Sequence, residues 1–296
     1  MRQAVVLVGT LVLLAGCGSA SSIDGRATVA TSESRDPTPY SGPMTAEQSF
    51  ADRATVMERS GAAGLALECV GRPYQGGGGD YSDGLESVQG SPTQALQNWL
   101  ESEGWGQLPS SPYAVERDDG DRVLLSYDVD ESTKVAFVAA DGVRDYEDDE
   151  GWGIESWAAC DPAELPASVT DSLGIEVWAN AEGARAPISR IQSYRGPEHC
   201  DWQDITFLVL DQGSAEGGSD DGETYVRDPG GDLEGLLRTT YDPRSKLPRD
   251  AVGTGLHRDG RQLWLVPSQQ AAYLVSTADS ADVERWPAAK DSIACA

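Results

Sequence analysis

Three Asp-Gly pairs, Asp119-Gly120, Asp141-Gly142 and Asp259-Gly260, each stand between short apolar runs. Such a pair closes a two-residue hairpin, because both turn positions need positive φ and these residues tolerate it. Much of the chain is thereby committed to antiparallel strands joined by tight turns. Strands are expected at Tyr113 to Arg117, Arg122 to Asp128, Lys134 to Ala140 and Trp152 to Cys160. A second set is expected at Ile175 to Trp178, Ile188 to Tyr194, Gln203 to Asp211, Val252 to Arg258, Arg261 to Val266, Ala271 to Thr277 and Val283 to Trp286. The continuous run Ile205-Thr206-Phe207-Leu208-Val209-Leu210 reads as a central strand.

Helices are fewer. Ser91-Pro92-Thr93-Gln94 supplies an N-cap, a proline at the first helical position and a glutamine closing a capping box. Leu96, Trp99 and Leu100 follow on one face, and Gly104 is the stop. Thr45 with Gln48 suggests a second helix from Ala46 to Ser60, followed by a strand at Leu65 to Val70, and Leu233 to Thr239 suggests a short third helix. Gly76-Gly77-Gly78-Gly79 matches neither the dinucleotide nor the nucleoside-triphosphate phosphate loop, so it reads as a surface loop extending to Gly90. The composition shift from Cys160-Asp161-Pro162 to Gly174 marks a boundary. The expected fold class is α+β in two halves, 45–165 and 166–296, each a mainly antiparallel β-meander with one or two packed helices.

At the N terminus, Arg2 precedes an apolar run from Ala4 to Leu14, and Leu14-Ala15-Gly16-Cys17 follows. That order is a charged region, an apolar region and a cleavage site, so residues 1–16 read as a signal peptide. The run is shorter than the roughly 20 residues a membrane span needs. A cysteine directly after Leu-Ala-Gly resembles a bacterial lipobox, which implies acylation of Cys17 and a palmitate-type membrane anchor. Residues 17–44, poor in large apolar side chains, read as a disordered tether. The expected location is the extracytoplasmic face of the cell membrane.

Net charge is −27, from 49 acidic and 22 basic residues, and only Lys134, Lys246 and Lys290 are lysines. Such a surface repels nucleic acid, so no nucleic-acid partner is expected, and any electrostatic preference is for cations or basic partners. Of five cysteines, Cys17 is set apart, leaving Cys69, Cys160, Cys200 and Cys295 as an even set in a compartment that permits disulfides. No Cys-x-x-Cys occurs and only His199 and His257 exist, so neither a metal nor another cofactor is expected. Four cysteines allow three connectivities. Each half places its first cysteine before a meander that ends at its second, which favours Cys69 with Cys160 and Cys200 with Cys295.

No catalytic residue stands out. Two histidines cannot supply a zinc-protease pair at i and i+4 here, and neither a nucleophile elbow nor Ser-x-x-Lys is present. His199 beside Cys200 reads as a structural histidine next to a disulfide cysteine. Glu147, Asp148, Asp149 and Glu150 could bind a cation weakly, as could Asp220-Asp221-Gly222-Glu223, but both lack EF-hand spacing and read better as solvated loops. Trp152, Trp157, Trp202, Trp264 and Trp286 fall in or beside expected strands and read as core.

Tyr194-Arg195-Gly196-Pro197-Glu198-His199-Cys200-Asp201-Trp202-Gln203, Asp259-Gly260-Arg261-Gln262-Leu263-Trp264-Leu265 and Glu284-Arg285-Trp286-Pro287 resemble blocks in a family of secreted lipoproteins from high-GC Gram-positive bacteria. The resemblance spans Ile188 to Cys295 and, more loosely, the first half. It implies the lipid anchor but no catalytic assignment. The expected function is therefore a lipid-anchored extracytoplasmic module that binds an envelope ligand or protein. The alternative is a carboxylate-dependent cell-envelope hydrolase. A transporter-associated solute-binding protein fits poorly, because strands here follow strands rather than alternating with helices.

Overall fold

The computed structural model describes residues 40–79, 81, 87–102, 108–110, 112–210, 222–268 and 270–294. Among them are twelve strands in three antiparallel sheets and four helices, a mainly meandering α+β organisation.

The first half runs α1 (Val56–Arg59), α2 (Gly61–Ala66), β1 (Gln75–Gly78), α3 (Pro92–Ser102), β2 (Ala114–Asp118), β3 (Arg122–Val129), β4 (Ser132–Arg144) and β5 (Glu150–Ala159). The strands pair in the order β1-β5-β4-β3-β2. Central β4 is buried from Lys134 to Ala140 without alternation, because both sheet faces are covered. On one face Val135, Phe137, Ala139, Ile154 and Trp157 pack against Leu96 and Trp99 of α3. On the other, Leu124, Ala136, Val138 and Ala158 meet Ala62, Ala63 and Ala66 of α2, together with Met44. Trp99 lies 5.1 Å from Phe137 and 5.0 Å from Trp157, centroid to centroid. Full burial of a side chain such as Phe137 contributes about 1.5–3 kcal/mol. As its sequence predicts, α3 opens at Pro92, with Ser91 Oγ accepting the Gln94 N–H at 3.3 Å.

Several expectations for this half change. Helix begins at Val56 and not at Ala46, because the working capping box is Thr55 with Glu58: each side chain accepts the other's backbone N–H. Gln48 instead donates to the Glu155 carbonyl, 3.0 Å away. The strand expected from Leu65 to Val70 is replaced by α2 and an irregular stretch after it, where Glu68 N–H donates to the Thr133 carbonyl at 2.9 Å. Gly61-Ala62-Ala63-Gly64 carries so little side chain that the helix backbone sits on the sheet, with Ala63 N–H donating to Ser156 Oγ at 3.3 Å. The glycine quartet is not a loop, since Gln75–Gly78 is an edge strand on β5. A Cβ at Gly76 would lie 2.6 Å from the Trp157 carbonyl oxygen, so close approach of two backbones demands glycine there. Within the stretch expected as tether, residues 40–44 lie along β2: Tyr40 N–H donates to Glu116, Arg117 donates to the Gly42 carbonyl, and Met44 is buried.

Two of the three Asp-Gly pairs close hairpins. At Asp259-Gly260 both residues have positive φ. Asp141-Gly142 does not, because β4 runs through it with a register shift between Ala140 and Val143. The chain reverses instead at 145–149, where the Asp145 carboxylate accepts the N–H groups of Glu147 and Asp149.

Between Cys160 and Gly174 lie a 3-10 turn (Pro162–Glu164) and α4 (Ala167–Ser172). Every strand pairing among the described residues joins partners on one side of this segment, while contacts across it make the described residues from Tyr40 onward one compact unit. Asp161 carries several of those contacts. Its buried carboxylate accepts Ala163 N–H and Ile188 N–H, each at 2.9 Å, and both the N–H and the hydroxyl of Ser189.

The second half runs β6 (Ile191–Arg195), β7 (Thr206–Leu210), β8 (Glu223–Arg227), β9 (Val252–Arg258), β10 (Arg261–Leu265), β11 (Ala271–Ser276) and β12 (Val283–Pro287). They form two sheets, β6-β7-β8 and β12-β11-β10-β9. The long apolar run is the central strand of the first of these. β8 is a strand the sequence reading left unassigned, and Leu233 to Thr239 contains only the 3-10 turn Glu234–Leu236. The sheets are joined at both edges. Tyr225 pairs with Ala288 on one side; on the other, residues 175–179 bridge the gap, Glu176 pairing with Ser193 and Ala179 with His257. The expected strand at Ile175 to Trp178 is thus the closing stave of a barrel-like ring, which leaves few free edges. Inside it pack Trp178, Ile191, Leu208, Tyr225, Leu263, Leu274 and Trp286. Side chains lock the seam: Trp178 Nε1 donates to Ser193 Oγ (3.1 Å), Ser193 donates to Glu176 (2.7 Å), and Glu176 pairs with Arg258 at 2.7 Å.

Candidate functional site

The ring is filled unevenly. At one end of β8 and β10, Arg227 and Arg261 reach the Glu284 carboxylate at 3.6 and 3.1 Å, and Tyr241 and Trp286 donate to it. Burial and the nearby Glu284 charge push the Tyr241 hydroxyl up to about 12. This polar cluster stoppers that end.

At the other ends of the same strands lies an open cleft of about 560 Å³. Its floor is Ile191, Leu210 and Tyr225 from the smaller sheet and Leu263 and Leu265 from the larger. Local irregularity opens it. Between β9 and β10 the register shifts, so that Thr254, Gly255 and Leu256 stand opposite Leu263 alone, and Gly255 has a φ of +77°. Bulges of this kind occur at barrel rims, where they turn side chains out of the ladder. Thr254 and Leu256 both line the cleft as a result. The Thr254 hydroxyl is already engaged, donating to the Leu263 carbonyl at 2.9 Å and accepting the Leu256 N–H at 3.1 Å.

Behind the floor, the Tyr225 hydroxyl is hydrogen-bonded to Glu223, which faces the same way two residues earlier on β8. Burial chiefly raises the Tyr225 hydroxyl, and the charge of Glu223 adds to it. Burial also raises the Glu223 carboxyl, against the opposing effects of the Tyr225 hydrogen bond and the Arg238 charge. At the rim, Arg190 is the only charged side chain among the lining residues described. It is exposed and has no ion-pair partner among the described residues. No carboxylate belongs to that lining, although acidic residues number 49 in the chain. The cleft is thus an apolar slot with a guanidinium at its rim.

The residues singled out from sequence lie elsewhere. Cys17 is outside the described residues. Cys69 and Cys160 are joined in a disulfide, as the meander argument predicts. Beside it a buried ion pair forms at 2.9 Å between Lys134 and Glu164, and Lys134 also donates to the Glu68 carbonyl. The Glu164 carboxylate further accepts the N–H groups of Val70 and Gly71. Cys200 is disulfide-bonded, and its expected partner Cys295 is outside the described residues. That bond removes the thiolate a Cys200/His199 catalytic pair would need. Glu147, Asp148 and Asp149 occupy the turn between β4 and β5 and Glu150 opens β5, with Asp148 and Glu150 flanking Arg144 at 3.0 and 3.1 Å. Of the second acidic run, Asp220 and Asp221 are outside the described residues. Trp157 and Trp286 are buried, and Trp152, Trp202 and Trp264 partly so.

The sequence reading missed the cleft. Its one local signal is Gly253-Thr254-Gly255, glycines on either side of a residue within an expected strand, which is a bulge signature. Comparison of the chain with family models, with curated proteins and with solved structures finds no match. Fold and site together define a mainly antiparallel protein with a small-molecule-sized cleft at the mouth of a barrel-like ring. Among the described residues no helix is long and apolar enough to cross a membrane.

Proposed function

We propose that the protein is a lipid-anchored lipoprotein of the extracytoplasmic face whose folded part binds an apolar ligand in the cleft between β6-β7-β8 and β9-β10. The observation that carries the reading is the lining of that cleft. Mouths of barrels are common ligand sites, and about 300–1,000 Å³ is the usual size of a small-molecule pocket; this one has apolar walls and about 560 Å³. A hydrolase working through carboxylates would need a pair of them facing the substrate, whereas the described lining offers a guanidinium, the Tyr225 phenol bonded to Glu223, and a threonine hydroxyl engaged by the backbone. Binding is the better reading on that ground. The anchor rests on the charged, apolar and Leu14-Ala15-Gly16-Cys17 order.

Each part has its own experiment. Cys17→Ala is expected to move the protein from the membrane fraction to the soluble one. If it still sediments with membranes after a high-salt wash, the anchor assignment fails. An apolar fluorescent probe should bind the full chain and lose binding in Ala186→Trp, since Ala186 lines the cleft and an indole there would occupy it. Equal binding by both proteins would remove the cleft from the account.

A further inference from the structure

We infer that the cleft takes a single-chain amphipathic anion, an alkyl chain ending in a carboxylate, with the chain between the two sheets and the head at Arg190. The inference rests on the cleft being a binding site and adds the ligand's chemistry.

Three observations select it. The walls contributed by Ile191, Leu210, Leu256, Leu263 and Leu265 are hydrocarbon, so what fills them gains only by removing apolar surface from water. Each buried methylene of a ligand adds to that gain, which favours a chain over a compact polar molecule. Arg190 is exposed at the rim and lacks an ion-pair partner among the described residues. Arg117, Arg122, Arg144, Arg258 and Arg261 each pair with a carboxylate, and Arg190 is the one arginine in the described lining of the cleft. A guanidinium left open at the edge of an apolar slot presents a planar fork that matches a carboxylate. The half-buried Glu223 carboxyl behind the floor is held by the Tyr225 hydroxyl and feels the charge of Arg238.

The sign and size of the head follow from the charge distribution. A cationic head would meet Arg190 as a like charge with no carboxylate in the described lining to offset it. A phosphate monoester would match the fork as well as a carboxylate does. It carries up to two negative charges, though, and the field of a chain at −27 penalises each of them. A head with one negative charge gains the fork at the smaller cost.

The test titrates dodecanoate, dodecyl phosphate, dodecyltrimethylammonium and acetate, each below any micelle concentration, into the full chain carrying Cys17→Ala, by calorimetry. Dodecanoate is expected to bind at least about tenfold more tightly than the ammonium, the factor that a charge-assisted hydrogen bond supplies. Dodecyl phosphate should bind no more tightly than dodecanoate, and acetate should not bind measurably. Arg190→Gln is expected to weaken dodecanoate about tenfold while leaving the ammonium unchanged or improved. Thermal unfolding of that variant should match the parent, because Arg190 is exposed and its side chain makes no hydrogen bond or ion pair among the described residues. An ammonium as tight as dodecanoate, a phosphate tighter than it, or an Arg190→Gln variant with undiminished dodecanoate affinity would overturn the head-group inference and leave the cleft standing. No binding by any alkyl probe, or binding that Ala186→Trp does not reduce, would instead overturn the cleft itself.

Discussion

Asp161→Ala should loosen the joint between the two halves, and its cost can be worked out bond by bond. The carboxylate accepts four hydrogen bonds, from Ala163 N–H, Ile188 N–H, Ser189 N–H and Ser189 Oγ. Ser189 is exposed, so its groups turn to water at little cost. Ile188 is 3% exposed, and its N–H makes no other hydrogen bond among the described residues. An orphaned buried donor costs about 1–3 kcal/mol, and losing the cap on the turn at Pro162–Glu164 adds roughly 0.5–2 kcal/mol. The expected loss is therefore about 1.5–5 kcal/mol, a large part of the roughly 5–15 kcal/mol that holds a typical domain together. Asp161→Asn separates the mechanism from a general packing defect. One carboxylate oxygen, Oδ1, serves both Ala163 and Ile188, and an amide oxygen can replace it. The asparagine variant should retain more than half of what the alanine variant loses. Urea unfolding followed by tryptophan fluorescence measures both. An alanine variant within about 0.5 kcal/mol of wild type, the range of featureless surface changes, would refute the accounting, as would an asparagine variant no better than alanine.

Other expectations are briefer. Gly76→Val should cost about 1–3 kcal/mol or more by pushing β1 off β5, because the new Cβ meets the Trp157 carbonyl; a neutral result in thermal unfolding would contradict that close approach. Replacing Cys69 and Cys160 together by serine should lower stability by up to about 4–5 kcal/mol in the chain-entropy account. Non-reducing peptide mapping of the wild type should recover the Cys69 and Cys160 fragments joined, and a Cys160 to Cys200 fragment would contradict the fold of the first half. Glu223 gives a pH dependence with a definite sign. Its folded pKa is raised, so the stability tied to its neutral form is fully present below its unfolded pKa and lost as pH rises through the folded value. Relative to wild type, Glu223→Gln should therefore gain in melting temperature as pH rises from below the unfolded carboxyl value through the raised folded one, and a difference that is flat or reversed would show that burial does not dominate at that carboxyl.

What could be read from the sequence alone is what depends on neighbours along the chain. The cap at Ser91-Pro92-Thr93-Gln94, the buried face of Leu96 and Trp99, the turn at Asp259-Gly260 and the bounds of β9 to β12 all follow from short-range sterics and period-two or period-3.6 patterning. The Cys69 and Cys160 pairing followed from the order of elements between them. Other features turned on partners far away in sequence. Gly76-Gly77-Gly78 looks like a loop until Trp157 and Ala158 lie beside it, because glycine serves equally for freedom and for close approach. Asp141-Gly142 has the composition of a turn but is held in a strand by β5, and the helix expected at Ala46 gave way to one that could rest its alanines on the sheet. The cleft was the least legible of all. Arg190, Leu210, Tyr225, Leu256 and Leu265 come from five separate segments, and none carries a motif. They meet only because Tyr225 pairs with Ala288, Glu176 with Ser193 and Ala179 with His257. Backbone hydrogen bonds of that kind use groups every residue has, so the ring closure that makes the site leaves almost no trace in side-chain pattern.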